Sequence, residues 1–136
     1  MKLLMIYADK FGYNPTLKTI EDAEDVSGYR EITKALVGFI HIEKEDENRE
    51  GYIETKLVKN IKWAARKNNT NTIILHSFAH LSESKADSDF TKLVLDNVEG
   101  RLFGSGYEVS QTPFGYFLDL NLQAPGYPLA RLFKSF

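Results

Sequence analysis

The first third of the chain contains two dense runs of apolar residues, and both predict strands in the middle of a sheet. Residues 3–8 and residues 35–42 are apolar at almost every position, which is typical of strands that are buried on both faces. Between them, residues 11–20 alternate only weakly and contain Gly12 and Pro15. This interruption predicts an irregular strand or a hairpin arm.

A period of 3.6 residues predicts two helices in the middle of the chain. Residues 53–68 place apolar side chains on one stripe and basic side chains on the opposite face, and a cluster of asparagines ends this helix. Asp87 or Ser88 can cap a second helix, which ends at Gly104 and Gly106. The predicted inward positions are Ile53, Leu57, Ile61 and Ala64 in the first helix and Phe90, Val94, Val98 and Leu102 in the second.

Three shorter segments, residues 72–75, 107–110 and 116–122, complete the predicted sheet. The tail at 128–136 is apolar and stops abruptly, so we expect a longer chain to continue past it. The resulting order of elements is β, β, β, α, β, α, β, β. Because helices and sheets bury their apolar faces against each other, this order predicts a single α/β domain in which two helices pack on one side of a mixed sheet.

The composition of the 136 residues narrows the class of function. Lys and Arg number 17 against 19 Asp and Glu, for a net charge of -2, whereas a dedicated DNA-binding protein needs a basic excess. The chain has no cysteine, which excludes thiol nucleophiles, disulfides and Cys-ligated metals. Its apolar runs are too short for a membrane span or a signal peptide. We therefore expect a cytoplasmic protein without membrane or DNA partners, whose acidic segments 21–28 and 43–50 are solvated loops.

The histidines carry little signal for metal or nucleophilic chemistry. His76 and His80 have a spacing that suits two metal ligands only on a helix, and here a strand end and a loop intervene. No metal site is therefore predicted, and His41 and His76 are expected to be partly buried with a backbone hydrogen bond. The glycines at 104 and 106 follow a helix, so they form a turn and no phosphate-binding loop.

The basic face of the first predicted helix includes one large aromatic side chain. Trp63 projects among Lys56, Lys59, Lys62 and Arg66, away from the apolar stripe. A solvated face, with Trp63 packed on a neighbouring loop or subunit, is the simpler interpretation. Contact with RNA is the sharper one, since aromatic side chains among cations often mark an interface.

Two motifs carry a resemblance to a known family. The first motif is Ser-Phe-Ala-His-Leu-Ser at 77–82. The second is Thr-Pro-Phe-Gly-Tyr at 112–116, which continues to Gly-Tyr-Pro-Leu-Ala at 126–130. With the opening strand and Val-Gly-Phe-Ile-His-Ile-Glu-Lys at 37–44, they resemble the N-terminal editing domain of archaeal threonyl-tRNA synthetase along the whole chain. The resemblance implies a D-aminoacyl-tRNA deacylase-like fold, in which the 77–82 loop lies near the strand after Pro113.

The resemblance also implies a proofreading reaction. A synthetase for threonine excludes serine poorly, because one missing methyl group discriminates by only ~1–3 kcal/mol. Residues 1–136 would form a domain that hydrolyses L-seryl-tRNA(Thr) and spares threonyl-tRNA(Thr), whose extra methyl group does not fit. The expected partners are serine-charged tRNA(Thr), a synthetase catalytic domain in the same chain and a second copy in a homodimer. No cofactor is expected here, since ATP, magnesium and zinc would belong to the synthetase body.

The residues of the site follow from the same resemblance, position by position. The backbone of Ala79 corresponds to a group that lies against the aminoacyl moiety, and His80 to a histidine that lines the serine pocket. Ile42 corresponds to a backbone contact near the terminal adenosine. The remaining predicted substrate-binding residues are Ser77, Phe78, Phe114, Tyr116, Phe117 and Leu118.

The chain departs from the family pattern at three of these places. The family often has Tyr-Lys where this chain has Phe117-Leu118, and glutamate where it has Arg131. Arg131, like the basic face of the first helix, is a candidate for contact with tRNA. Without that lysine, hydrolysis is expected to rely on backbone N–H groups that stabilise the oxyanion and on the 2′-hydroxyl of the terminal adenosine. Two alternatives stay open, a free-standing D-aminoacyl-tRNA deacylase and a non-catalytic tRNA-binding appendage.

Overall fold

One long strand organises the sheet in the computed structural model, which describes residues 1–136. The elements are β1 (Lys2–Lys18), β2 (Arg30–His41), α1 (Glu50–Lys67), β3 (Thr72–Ser77), α2 (Ser88–Gly104), β4 (Glu108–Gln111), β5 (Tyr116–Gln123) and β6 (Arg131–Ser135), with short 3-10 turns at Lys44–Asn48 and Pro128–Ala130. The long strand, β1, pairs with β2 on one side, and on its other side with β6 along its first part and β5 along its second part, all antiparallel. The order across the sheet is β4-β3-β2-β1-β5.

The two helices connect the parallel part of the sheet and pack on the same face. β2, β3 and β4 run parallel, which requires a crossover between each pair, and α1 and α2 provide them. Leu3, Ile40 and Leu75 on this face share one buried core with Ile61 of α1 and Val98 of α2. The predicted α/β domain, with a mixed sheet and two helices on one side, is therefore confirmed. Neither helix is long and apolar enough to span a membrane.

The opposite face of the sheet has a smaller buried cluster that bears directly on the site. Phe11, Phe39 and Ile74 belong to it, and they come from β1, β2 and β3. Phe78, from the loop after β3, and Leu118, from β5, both pack against this cluster. The two sequence motifs are thus drawn together by a shared apolar contact.

The prediction of two separate strands at 3–8 and 11–20 is wrong, because β1 is continuous. Gly12 belongs in the strand for a steric reason, since a Cβ there would collide with the ring of Tyr29. Pro15 is accommodated because the pairing of β1 with β5 shifts register between Pro15 and Leu17, and such a bulge tolerates the missing N–H of proline.

The acidic segment 43–50 is also not the solvated loop that its charge predicts. Asp46 is fully buried, in a 3-10 turn where its carboxylate lies 3.0 Å from the amino group of Met1 and 2.8 Å from Nη2 of Arg49. Buried carboxylates occur where such partners compensate the lost hydration. Like-charge repulsion within the run is offset by Arg49 inside it and by the amino group of Met1, which lies far from it in sequence.

Candidate active site

A cavity of about 650 Å³ opens where β2 and β3 end and α2 begins. Ligands of open α/β sheets bind at this kind of place, outside the carboxyl ends of the strands. Its walls include side chains from both motifs, from the end of β2 and from the first turn of α2. The lining residues are Thr19, Ile20, Ile40, Ile42, His76, Ser77, Phe78, Ala79, His80, Lys85, Ala86, Asp87, Ser88, Thr91, Pro113, Phe114, Gly115, Tyr116, Phe117, Leu118 and Leu120.

The expectation that the two motifs meet is confirmed. Ala79 and Phe117, which lie 38 positions apart in the chain, line the same cavity. Every residue assigned to substrate binding or catalysis by resemblance lies on its wall. Arg131 does not, because it begins β6 and donates its guanidinium hydrogen bond to the carbonyl of Pro125 at 3.3 Å.

The loop after β3 is held in place from the end of β2. His41 is almost fully buried, at 1% exposure, and its Nε2 donates to the carbonyl of Ser84 at 2.7 Å while the N–H of Leu81 donates to its Nδ1 at 2.9 Å. The N–H of Phe78 donates to the carbonyl of Ile40 at 2.9 Å. His41 therefore makes the expected backbone hydrogen bond, but as a more deeply buried residue that fixes the site loop.

Glu43 adds a charged contact to the same loop. Ser82 Oγ donates to its Oε2 at 2.6 Å, and the amino group of Met1 donates to its Oε1 at 2.6 Å. Burial alone would raise the pKa of Glu43, but these two hydrogen bonds and the charge of Lys2 lower the pKa to about 2. The carboxylate is therefore ionised at neutral pH and holds Ser82 in the motif. Nothing in the local sequence distinguishes Glu43 from the acidic residues that follow it.

His76 and His80 face the cavity in different environments. His76 is 6% exposed and lies 2.8 Å from the hydroxyl of Thr112, so its predicted backbone hydrogen bond is replaced by one to a side chain. The exposed ring of His80 packs edge-on against Phe78, with the centroids 4.9 Å apart. This contact positions His80 as a wall of the cavity.

Desolvation, with a smaller contribution from His80, lowers the pKa of His76 to about 4. In the unfolded chain, His76 binds a proton near pH 6.5, whereas in the folded protein it does not. The contribution of the neutral His76 to the free energy of unfolding is therefore fully present above that pH. It should fall by about 3 kcal/mol as the pH drops to about 4. Urea unfolding across this range should show the decline, and His76→Asn should flatten it. His80→Ala should flatten it only slightly, since the charge of His80 is the smaller of the two causes. A wild-type slope in His76→Asn would contradict this assignment.

The turn between β4 and β5 is built around Gly115, within the second motif. Its φ of +82° lies in the left-handed region, and a Cβ there would sit 3.0 Å from Ala23 and 3.2 Å from Ile20. Glycine is thus needed both for the backbone conformation and for the close approach of the 19–23 segment. The hydroxyl of Tyr116 donates to the carbonyl of Glu24 at 2.7 Å, so its ring, rather than its hydroxyl, is available to a ligand.

The backbone of the 77–82 loop offers two free donors to the cavity. The N–H groups of Ala79 and His80 have no hydrogen-bond partner in the structure, and both residues are exposed on the cavity wall. The carbonyl of Ile42 instead already accepts the N–H of Ala86 at 3.0 Å. Adjacent unpaired N–H groups are the arrangement that stabilises a developing oxyanion.

The basic face of α1 lies outside the cavity. No carboxylate lies within ion-pair distance of its basic side chains, which are Lys56, Lys59, Lys62 and Arg66. Trp63 is 38% exposed among them, and Lys67 Nζ lies 5.9 Å from the centroid of its ring. The structure thus confirms an exposed tryptophan on an unpaired cationic face and leaves both interpretations of that face standing.

The comparisons with known proteins agree with the geometry. The chain belongs to the family of archaea-specific editing domains of threonyl-tRNA synthetase, whose family model matches residues 1–136. It is 34% identical over 137 residues to the threonine–tRNA ligase of Methanosphaera stadtmanae and 33% identical over 138 residues to that of Thermococcus kodakarensis. Each alignment covers 99% of this chain and 22% of the relative, so the chain spans about a fifth of the length of these ligases.

A solved structure supports the fold independently. The c-Myc DNA Unwinding Element Binding Protein superposes with a TM-score of 0.67 at 13% sequence identity, over 100% of this chain and 99% of the other. A likeness at this identity shows the fold alone, and the two chains share that fold over essentially their whole length.

Proposed function

We propose that this domain hydrolyses mischarged L-seryl-tRNA(Thr) and spares threonyl-tRNA(Thr), as the proofreading part of a threonine–tRNA ligase. The observation that carries the proposal is the shared cavity of the two motifs, with the unpaired N–H groups of Ala79 and His80 at its wall. Membership of the editing-domain family supplies the class of reaction. The partners that follow are tRNA(Thr), a synthetase body in the same chain and a second copy of the domain.

Hydrolysis in this proposal uses no side-chain base. His76 is a weak base because burial lowers its pKa to about 4, and its Nδ1 is paired with the hydroxyl of Thr112. Leu118 has no titratable group. The N–H groups of Ala79 and His80 stabilise the oxyanion that forms when water attacks the ester carbonyl. The 2′-hydroxyl of the terminal adenosine, adjacent to the 3′-ester, orients that water. His80 shapes the pocket around the serine side chain.

The direct test is deacylation by the 136-residue chain of labelled Ser-tRNA(Thr), Thr-tRNA(Thr) and a D-aminoacyl-tRNA. Turnover of the seryl ester alone supports the proposal. Preferential turnover of the D-aminoacyl ester assigns the domain to the D-aminoacyl-tRNA deacylases instead. Tight binding of tRNA without turnover of any ester shows a non-catalytic appendage.

The basic face of α1 is tested separately from the cavity. Lys59→Glu combined with Arg66→Glu should leave the affinity for a serine analogue unchanged, because neither residue lines the cavity. If the face binds tRNA, the same variant weakens tRNA binding and flattens its salt dependence, since each lost phosphate contact removes one released counterion. If the face is only solvated, tRNA affinity stays at the wild-type value. The oligomeric state is measured in the same samples, because Trp63 on this face can also support a dimer.

A further inference from the structure

The cavity has one cationic side chain, Lys85, among all the lysines and arginines of the chain. Lys85 is exposed at the cavity rim, and no carboxylate lies within ion-pair distance of it. The one acidic residue on the cavity wall, Asp87, lies instead 3.7 Å from Lys44 Nζ. The positive charge of Lys85 is therefore free to meet a ligand.

The backbone on both sides of Lys85 is fixed to the end of β2. The carbonyl of Ser84 accepts the hydrogen bond from His41 Nε2 at 2.7 Å, and the N–H of the buried Ala86 donates to the carbonyl of Ile42 at 3.0 Å. The side chain thus extends from a rigid base at the cavity mouth. The fixed backbone keeps the start of the stem at the cavity mouth, and the flexible stem lets the ammonium group reach a ligand there.

The chemistry of the remaining walls indicates what this charge meets. The predicted binding walls are mainly aromatic and aliphatic groups, which suit an adenosine ring and a small amino acid. The unpaired N–H groups of Ala79 and His80 are assigned to the ester, so Lys85 is the cation left for a phosphate. The 3′ end of any tRNA brings a phosphodiester between its last two nucleotides, and lysine binds phosphate as a point charge. We propose that Lys85 binds this terminal phosphodiester and so holds the 3′ end of the tRNA in the cavity. This inference rests on the proposed function.

The experiment compares Lys85→Gln and Lys85→Arg with a matched control, Lys134→Gln, an exposed lysine on β6 that has no ion pair and lies outside the cavity. The substrate is Ser-tRNA(Thr), and a second ligand is a CCA-ended oligonucleotide with serine in a non-hydrolysable 3′-amide. Lys85→Gln should raise KM and the oligonucleotide Kd by roughly 10-fold and leave kcat nearly unchanged. Its salt slope should be shallower by about 0.7, the value of one single-stranded phosphate contact. Lys85→Arg should retain most of the affinity.

A neutral methylphosphonate at the last internucleotide linkage identifies the group that is bound. The wild type should lose about as much affinity for this ligand as Lys85→Gln loses for the natural one, and Lys85→Gln should lose nothing further. Additive losses, or equal behaviour of Lys85→Gln and Lys134→Gln, overturn the proposal. If the wild type binds the amide ligand but hydrolyses no ester, the proposed function fails while the binding data still decide the role of Lys85.

Discussion

Replacing the terminal adenosine of Ser-tRNA(Thr) by its 2′-deoxy form should slow hydrolysis by about 10²–10⁴-fold, the range typical of losing a general acid–base group. The structure gives the physical reason. The only deeply buried imidazole at the cavity, His76, has its pKa lowered to about 4, which makes it a weak proton acceptor, and its Nδ1 is paired with the hydroxyl of Thr112. With Leu118 where the family often has lysine, the substrate hydroxyl is left to orient the water.

Single-turnover rates at saturating enzyme measure this effect apart from binding. The Kd of the 2′-deoxy substrate should stay close to that of the natural one. Leu118→Ala is the matched side-chain control and should change the chemical step little, while His80→Ala should weaken the handling of serine without approaching the 2′-deoxy loss. Hydrolysis of the 2′-deoxy ester at the normal rate would contradict the substrate-assisted mechanism. A side chain of the cavity would then have to orient the water.

The parts of the fold that could be predicted from the sequence are those with a local signal. The apolar runs at 3–8 and 35–42 lie in β1 and β2, and the 3.6-residue period places α1 and α2 to within a few residues. β6 has no such signal, because Arg131–Ser135 becomes a strand only through its pairing with the first residues of β1. The continuity of β1 likewise follows from its pairing with β2 and β5 on either side of Gly12, which no local pattern shows.

The residues of the site likewise fall into those with a local sequence signal and those without one. Ala79, His80 and Phe114 could be assigned because two contiguous motifs resemble a family, and the structure brings these motifs to one cavity. The residues that support the site were missed for a common reason. His41 contacts Leu81, 40 positions away, and Glu43 contacts Ser82, 39 positions away, so neither spacing forms a motif. A histidine at a strand end and an acidic run have ordinary structural explanations until their distant partners are known.

Hydrolysis of the seryl ester should exceed that of the threonyl ester by about 10–200-fold, the range that one methyl group supplies in a shaped pocket. The cavity is suited to this discrimination because His80 is held edge-on against Phe78 at 4.9 Å, and the loop that carries both is tied to His41 and Glu43. The threonyl methyl group is expected to meet the His80 ring held against Phe78, and one methyl group discriminates by about 1–3 kcal/mol in such a pocket.

The ratio of kcat/KM for Ser-tRNA(Thr) and Thr-tRNA(Thr), measured with the same tRNA preparation, tests this discrimination. His80→Ala should narrow the ratio, because removing the ring makes room for the methyl group and raises the relative rate on the threonyl ester. Lys134→Gln, on β6 and away from the cavity, should leave the ratio at its wild-type value. Comparable wild-type rates on both esters would count against a proofreading role, since a domain that also cleaves the correct product cannot sort it from the wrong one.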